Sequence, residues 1–191
     1  KCCKDCEKRI NSQLNLNIEN KAGYYFEKHM YLFKYKNEIR NLILDYKFRD
    51  KSYLYELFAK IITKNEKICG ILEKYDIIIP VPIHKKRKKQ RGYNQSELVA
   101  RQISKNIANL QLENKAFIKI KNNKPQSTLS KKQRKQNVKN VYKLENKGKI
   151  ENKNIVLFDD IYTTGNTANE IAKILKQNGA NKILVLTIAK D

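Results

Sequence analysis

The chain has 191 residues, with 41 Lys and Arg against 19 Asp and Glu, a formal net charge of +22 at pH 7. That length supplies one principal domain and at most a small appendage, and 40% hydrophobic residues suffice for a core, which excludes wholesale disorder. No apolar stretch approaches the ~20 residues of a bilayer span, and the charged start from Lys1 to Arg9 is no secretion signal, so the chain reads as soluble and cytoplasmic. The cationic surplus favours polyanionic partners, whether phosphates, pyrophosphate or nucleic acid.

In chain order, residues 1–12 are polar and carry Cys2, Cys3 and Cys6, and residues 13–22 form a polar connector. Tyr24 to Tyr35 mixes aromatic, aliphatic and polar residues as a short hairpin of half-buried strands does. Two helical periods follow, one on Ile39, Leu42, Ile43 and Tyr46, the other on Leu54, Leu57, Phe58, Ile61 and Ile62, with the basic turn Lys47-Phe48-Arg49-Asp50-Lys51 between them. Asp76 to Ile83 has the continuous apolar character of a buried parallel strand. A basic loop succeeds it, then a helix from about Gln95 to Asn109, with Asn94 as N-cap and Glu97 completing a variant capping box. Ala116 to Ile120 is a further strand, and residues 121–140 are polar and basic without period. Asn154 to Phe158 is a strand, residues 167–178 a helix ended by Gly179, and Lys182 to Ile188 the last strand. This alternation implies an α/β protein with an open, mostly parallel sheet flanked by helices.

The sharpest signal is Ile155-Val156-Leu157-Phe158-Asp159-Asp160-Ile161-Tyr162-Thr163-Thr164-Gly165-Asn166-Thr167. An apolar strand runs into two adjacent carboxylates and then a hydroxyl- and glycine-containing loop that opens a helix. Ligands of open α/β sheets lie beyond the carboxyl ends of the strands. There the backbone amides from Thr163 to Thr167, with Gly165 permitting close approach, form a phosphate cradle. Carboxylates beside it repel a bare phosphate, but they accept hydrogen bonds from sugar hydroxyls or help to hold a divalent cation. The combination points to a sugar phosphate. Neither a P-loop nor a G-x-G-x-x-G follows any strand, which removes P-loop hydrolysis and Rossmann dinucleotide binding.

This segment resembles the phosphoribosyl pyrophosphate signature of type I phosphoribosyltransferases. Pro80-Val81-Pro82-Ile83-His84, the basic run after it and Arg91-Gly92-Tyr93-Asn94-Gln95-Ser96-Glu97-Leu98 resemble the ComF family of competence-associated, phosphoribosyltransferase-like proteins. So does Q-x-x-L-S-x-x-x-R-x-x-N-V, on Gln126, Leu129, Ser130, Arg134, Asn137 and Val138, a counterpart of the mobile loop that covers the reacting ligand in such enzymes. Lys47-Phe48-Arg49 resembles the opening of the family's K-F-x-G-D element, but Asp50 stands where Gly is usual and Lys51 where Asp is usual.

The resemblance implies a phosphoribosyltransferase-like domain over residues 23–191, preceded by a truncated zinc-finger-like segment and connector over residues 1–22. It implies binding of phosphoribosyl pyrophosphate with Mg²⁺ and a link to competence and DNA uptake. Asp159 and Asp160 would contact the ribose, Thr163, Thr164, Gly165, Asn166 and Thr167 the 5′-phosphate, and Lys47, Pro82, His84, Arg87 and Arg91 the pyrophosphate. A non-catalytic basic module binding single-stranded DNA or a helicase partner is the alternative, with Tyr24, Tyr25, Phe26 and Tyr93 as stacking surfaces. Cys3-Lys4-Asp5-Cys6 has zinc-knuckle spacing, whereas structural zinc takes four ligands. Family members carry two such pairs and this one resembles the second, so Zn²⁺ requires completion by Cys2 and Cys69 or by residues outside the sequence.

Overall fold

The computed structural model describes residues 4–123, 138 and 140–191. In chain order the elements are helix α1 (Lys4–Asn11), strands β1 (Asn17–Asn20) and β2 (Lys28–Lys34), helices α2 (Asn37–Phe48), α3 (Leu54–Thr63) and α4 (Glu66–Leu72), and strand β3 (Ile77–Pro80). Then come α5 (Lys85–Arg91), α6 (Gln95–Asn106), β4 (Gln111–Leu112), β5 (Phe117–Lys119), β6 (Tyr142–Leu144), a 3-10 turn at Lys147–Lys149, β7 (Ile155–Tyr162), α7 (Asn166–Gln177) and β8 (Ile183–Lys190). Six strands form one sheet in the order β1-β2-β8-β7-β3-β4. It is parallel except at the β1 edge, where β1 runs antiparallel to β2.

The period of two along each central strand divides the core. Ile78, Val156, Phe158, Leu184, Leu186 and Ile188 face one layer, where Ile43, Tyr46, Phe58, Ile62, Val99 and Ile103 of α2, α3 and α6 cover them. Ile77, Ile79, Ile155, Leu157, Ile183 and Val185 face the other, under Ile171, Ala172 and Leu175 of α7. Both faces are apolar because parallel strands are covered twice. Each large side chain so buried contributes about 1.5–3 kcal/mol.

Several expectations need correction. The hairpin placed within Tyr24 to Tyr35 instead pairs β2 with β1, which lies in the supposed connector: Asn17 opposes Tyr31 and Asn20 opposes Lys28. β2 is an interior strand against β8, so its middle five residues are all buried. The strand at Ala116 to Ile120 exists as β5, but it forms a separate antiparallel ribbon with β6 outside the main sheet. The basic loop after β3 is helical: the His84 imidazole Nδ1 caps α5 by accepting from the Lys86 N–H at 3.2 Å, and Gly92 ends it in the left-handed region at φ +82. Lys, Arg and Gln are good helix formers, and a helix with no buried residue leaves no apolar period to read.

The capping box at α6 is half formed. Asn94 Oδ1 accepts from the Ser96 N–H at 3.2 Å. The Glu97 carboxylate, however, turns to Lys88, Arg101 and Asn114. Asn94 Nδ2 also donates to the Val81 carbonyl at 3.1 Å, which pins the start of α6 to the carboxyl end of β3.

Candidate functional site

The carboxyl ends of β3 and β7 and the amino ends of α6 and α7 meet at Asp159 and Asp160. β7 runs four residues beyond the expected end at Phe158, carrying both acids on regular strand. Adjacent strand residues point to opposite faces, and the two acids have separate partners. Asp160 accepts from Lys47 Nζ of α2 at 2.8 Å, and both side chains are largely buried. Asp159 accepts from Ser96 Oγ at 3.1 Å and from the Asp160 N–H at 2.9 Å. Burial, helped by the charge of Asp160 and opposed by Lys47, pushes the Asp159 carboxyl up to about 7. The pair therefore combines a carboxylate held by a cation with one that shares its proton with solvent near neutrality.

The loop after β7 has the geometry of an anion seat. Gly165 adopts φ +74 at the N-cap of α7, a conformation that costs other L-residues about 1–2 kcal/mol. A Cβ there would lie 2.2 Å from the Tyr162 hydroxyl. That ring is fixed, because it stacks on His29 with centroids 3.8 Å apart. Among the described residues, the amides of Thr163, Thr164, Gly165 and Asn166 donate to no backbone or side-chain acceptor; the first closed bond is Asn169 N–H to Gly165 O at 2.8 Å. Thr164 Oγ1 is buried without a partner. Unsatisfied donors converging at a helix start are what a phosphate requires.

The turn between β1 and β2 lies against this loop. The Tyr24 hydroxyl donates to Thr164 O at 3.4 Å, and the Tyr25 N–H donates to Asn169 Oδ1 at 2.8 Å. Phe26 is buried in the α7-side core, whereas Tyr24 and Tyr25 are exposed.

The cations named from sequence surround the acids unevenly. Lys47 is on Asp160. Arg91 stacks over Phe48 at 5.0 Å; burial lowers its pKa while the field of Asp160 opposes that. Arg87 donates to the Asn123 carbonyl at 2.8 Å. His84 is buried at the N-cap of α5, and burial, with Lys85 and Lys86 next in size, lowers its pKa, so near neutrality it is a neutral acceptor. Pro82 is half-buried just past β3. Lys51, where the family motif has Asp, pairs with Asp45 at 2.7 Å. Asp50, in the place of the usual Gly, has φ +53, so the turn keeps the conformation a glycine would take.

Three neighbours were not foreseen: Ser96 on Asp159, Tyr162 over Gly165, and Lys119 on β5. Lys119 carried a signal, since in Phe117-Ile118-Lys119-Ile120 the lysine shares the inward face with Phe117 while both isoleucines are exposed.

Cys6 lies on α1, which packs through Ile10 into the core and through Glu7 to Lys60. Cys3, Gln126, Leu129, Ser130, Arg134 and Asn137 lie outside the described residues, whereas Val138 is buried. No three His, Cys, Asp or Glu residues gather to hold a metal among the described residues.

A mostly parallel sheet, an acidic pair at the end of a central strand and an amide cradle at the next helix define a phosphoribosyltransferase fold of type I. A family model for the phosphoribosyl transferase domain matches residues 80–191. The chain is 32% identical over 171 residues to competence protein F of Haemophilus influenzae, covering 86% of this chain and 73% of that protein. It is 26% identical over 182 residues to competence protein ComFC of Bacillus subtilis, covering 93% and 67%. Against the DNA utilization protein YhgH of Shigella flexneri it is 35% identical over 115 residues, 60% of this chain and only about half (49%) of that relative's length. The chain belongs to the phosphoribosyl transferase domain family, in its ComF branch.

Proposed function

We propose that this chain binds phosphoribosyl pyrophosphate at the carboxyl end of β7 and serves a process of DNA uptake. The observation that carries the reading is the set of undirected amides from Thr163 to Asn166, together with the unpartnered Thr164 hydroxyl, beside two carboxylates. The cradle takes the 5′-phosphate, and Asp159 and Asp160 accept hydrogen bonds from the ribose hydroxyls. For Asp160 this requires exchange with Lys47, which then becomes available to a phosphate.

If the bound sugar reacts, the bond from the anomeric carbon to pyrophosphate oxygen breaks with its electron pair on the leaving group, and an acceptor nitrogen forms the new bond. The protein's part is positioning and charge stabilisation. The oxygen-only donor set of Asp159 and Asp160 fits Mg²⁺, which binds through one or two carboxylates plus substrate phosphates. Mg²⁺ would supply charge neutralisation on the departing pyrophosphate.

Isothermal calorimetry with phosphoribosyl pyrophosphate and Mg²⁺ tests the reading. Binding is expected to be lost in the Asp159→Asn, Asp160→Asn double variant, and unchanged affinity rejects it. The names of the relatives, two competence proteins and a DNA utilization protein, support the link to DNA uptake.

A second reading, contact with single-stranded DNA, is favoured by one observation. α5, Lys-Lys-Arg-Lys-Lys-Gln-Arg, buries no residue and has no acid in its first turn. Beside it Phe48, 67% exposed, holds Arg91 on its ring, an arrangement suited to a phosphate chain with stacked bases. A helicase partner has no corresponding feature among the described residues.

A further inference from the structure

The acids at the end of β7 are each held by a single oxygen. Asp159 takes both of its donors on Oδ1, the Ser96 hydroxyl at 3.1 Å and the Asp160 N–H at 2.9 Å, and Asp160 takes Lys47 Nζ on Oδ1 at 2.8 Å. Among the described residues nothing donates to Oδ2 of either acid. The two braces differ in kind. Lys47 is a cation on a flexible stem, whereas Ser96 is buried and built into the start of α6. That start is tied to its neighbours. Asn94 Oδ1 accepts from the Ser96 N–H at 3.2 Å, and Asn94 Nδ2 donates to the Val81 carbonyl at 3.1 Å. The Val81 N–H donates in turn to the Phe158 carbonyl at 2.8 Å, one residue before Asp159. From α2, the buried Tyr46 hydroxyl donates to the Gln95 carbonyl at 2.8 Å. Hydrogen bonds thus close a ring from β7 through the end of β3 and the start of α6 back to Asp159, and this ring fixes where the Ser96 hydroxyl stands.

We propose that Ser96 is a positioning residue: it holds Asp159 by Oδ1 so that Oδ2 is presented to the bound sugar, and the acid accepts from a ribose hydroxyl without rearrangement. This rests on the reading in which the cradle holds the 5′-phosphate and the acids the sugar. Ser96 does not itself touch the ligand. A carboxylate free to rotate has to be ordered when a ligand arrives, and that ordering lowers affinity, whereas one already braced in the binding geometry avoids it. The role is therefore felt by a ligand that carries hydroxyls and not by a bare phosphate.

The test is a heteronuclear NMR titration of the full chain, followed at the Gly165 amide, with two separate probes: inorganic phosphate, which fills the cradle alone, and ribose 5-phosphate, which also meets Asp159. Ser96→Ala removes the donor and keeps a good helix former at the position. It is expected to weaken ribose 5-phosphate about five- to tenfold while leaving inorganic phosphate within about twofold. In an Asp159→Asn background the same substitution should change neither probe by more than about twofold, because its effect passes through the carboxylate. Unchanged ribose 5-phosphate affinity in Ser96→Ala overturns the assignment. So does an equal loss of both probes, which marks a merely structural effect, or a loss that persists in full in the Asp159→Asn background. Failure of both probes to shift Gly165 in the unaltered chain would instead overturn the cradle on which the assignment rests.

Discussion

At the scale of single residues, Gly165 and Asp50 show how backbone conformation serves the site. Both have positive φ, but only Gly165 is also closed in by a neighbouring side chain, because Tyr162 occupies the space where a Cβ would project. Tyr162 has no room to yield, being stacked on the fully buried His29. Gly165→Ala is therefore expected to cost about 2 kcal/mol, from left-handed strain plus displacement of the ring, and to abolish ribose 5-phosphate binding. A thermal melt and a titration check both; a variant that melts and binds as the unaltered chain does would show that the loop is not held as described. Asp50 is exposed, and Asp tolerates the left-handed region better than most residues. An Asp therefore holds this turn without a glycine.

Among the elements, α5 and the β5–β6 ribbon are joined through Arg87, which donates to the Asn123 carbonyl just past β5. α5 is tied down at its ends and by single contacts: His84 caps it, Gly92 stops it, Lys88 reaches Glu97 and Arg87 reaches Asn123. The side chains of Lys85, Lys86 and Lys89 are exposed and serve none of these contacts. Replacing these three by Gln should leave the fold unchanged. If α5 tracks a single-stranded phosphate chain, the log–log salt dependence of binding should become shallower by about two, at roughly 0.7 per neutralised phosphate. A slope identical to that of the unaltered chain would remove α5 from any DNA contact. The ribbon stays outside the main sheet, with Lys119 over the Tyr142 ring and Tyr142 hydrogen-bonded to Thr167.

For the whole molecule, two buried groups make opposite demands on pH. Burial, with Lys21 next, pushes His29 down to about 3, so the native state refuses a proton that the unfolded chain accepts, and stability falls as pH drops below about 6.5. Asp159, raised to about 7, does the reverse: the native state holds a proton that the unfolded chain has released, and stability is lost as pH rises from about 4 towards 7. Between about pH 4.5 and 6.5 the two slopes oppose each other, each up to about 1.4 kcal/mol per pH unit. Denaturant titrations should therefore give a nearly flat stability in that window. Asp159→Asn is expected to expose the His29 slope, with stability falling on acidification, and to be more stable than the unaltered chain near pH 8. A flat profile in that variant would show that His29 is not held neutral. An acid kept at the site at the expense of stability is what a binding role would maintain.

The sequence by itself determined the layer architecture and the centre of the site. The continuous apolar runs at Ile77 to Pro80, Ile155 to Phe158 and Ile183 to Ile188 demand strands covered on both faces, and Asp159-Asp160 with Thr163 to Thr167 must then stand at a strand's end before a helix. These are local properties, carried by neighbouring residues and fixed periods. Only the tertiary structure decided that β2 lies inside the sheet, that β5 lies outside it, and that Lys47 reaches Asp160 across more than a hundred residues of chain. It also decided that Ser96 adjoins Asp159 and that Tyr162 closes over Gly165. Strand order and the environment of a charge depend on which distant segments pack together, and no period along the chain records that choice.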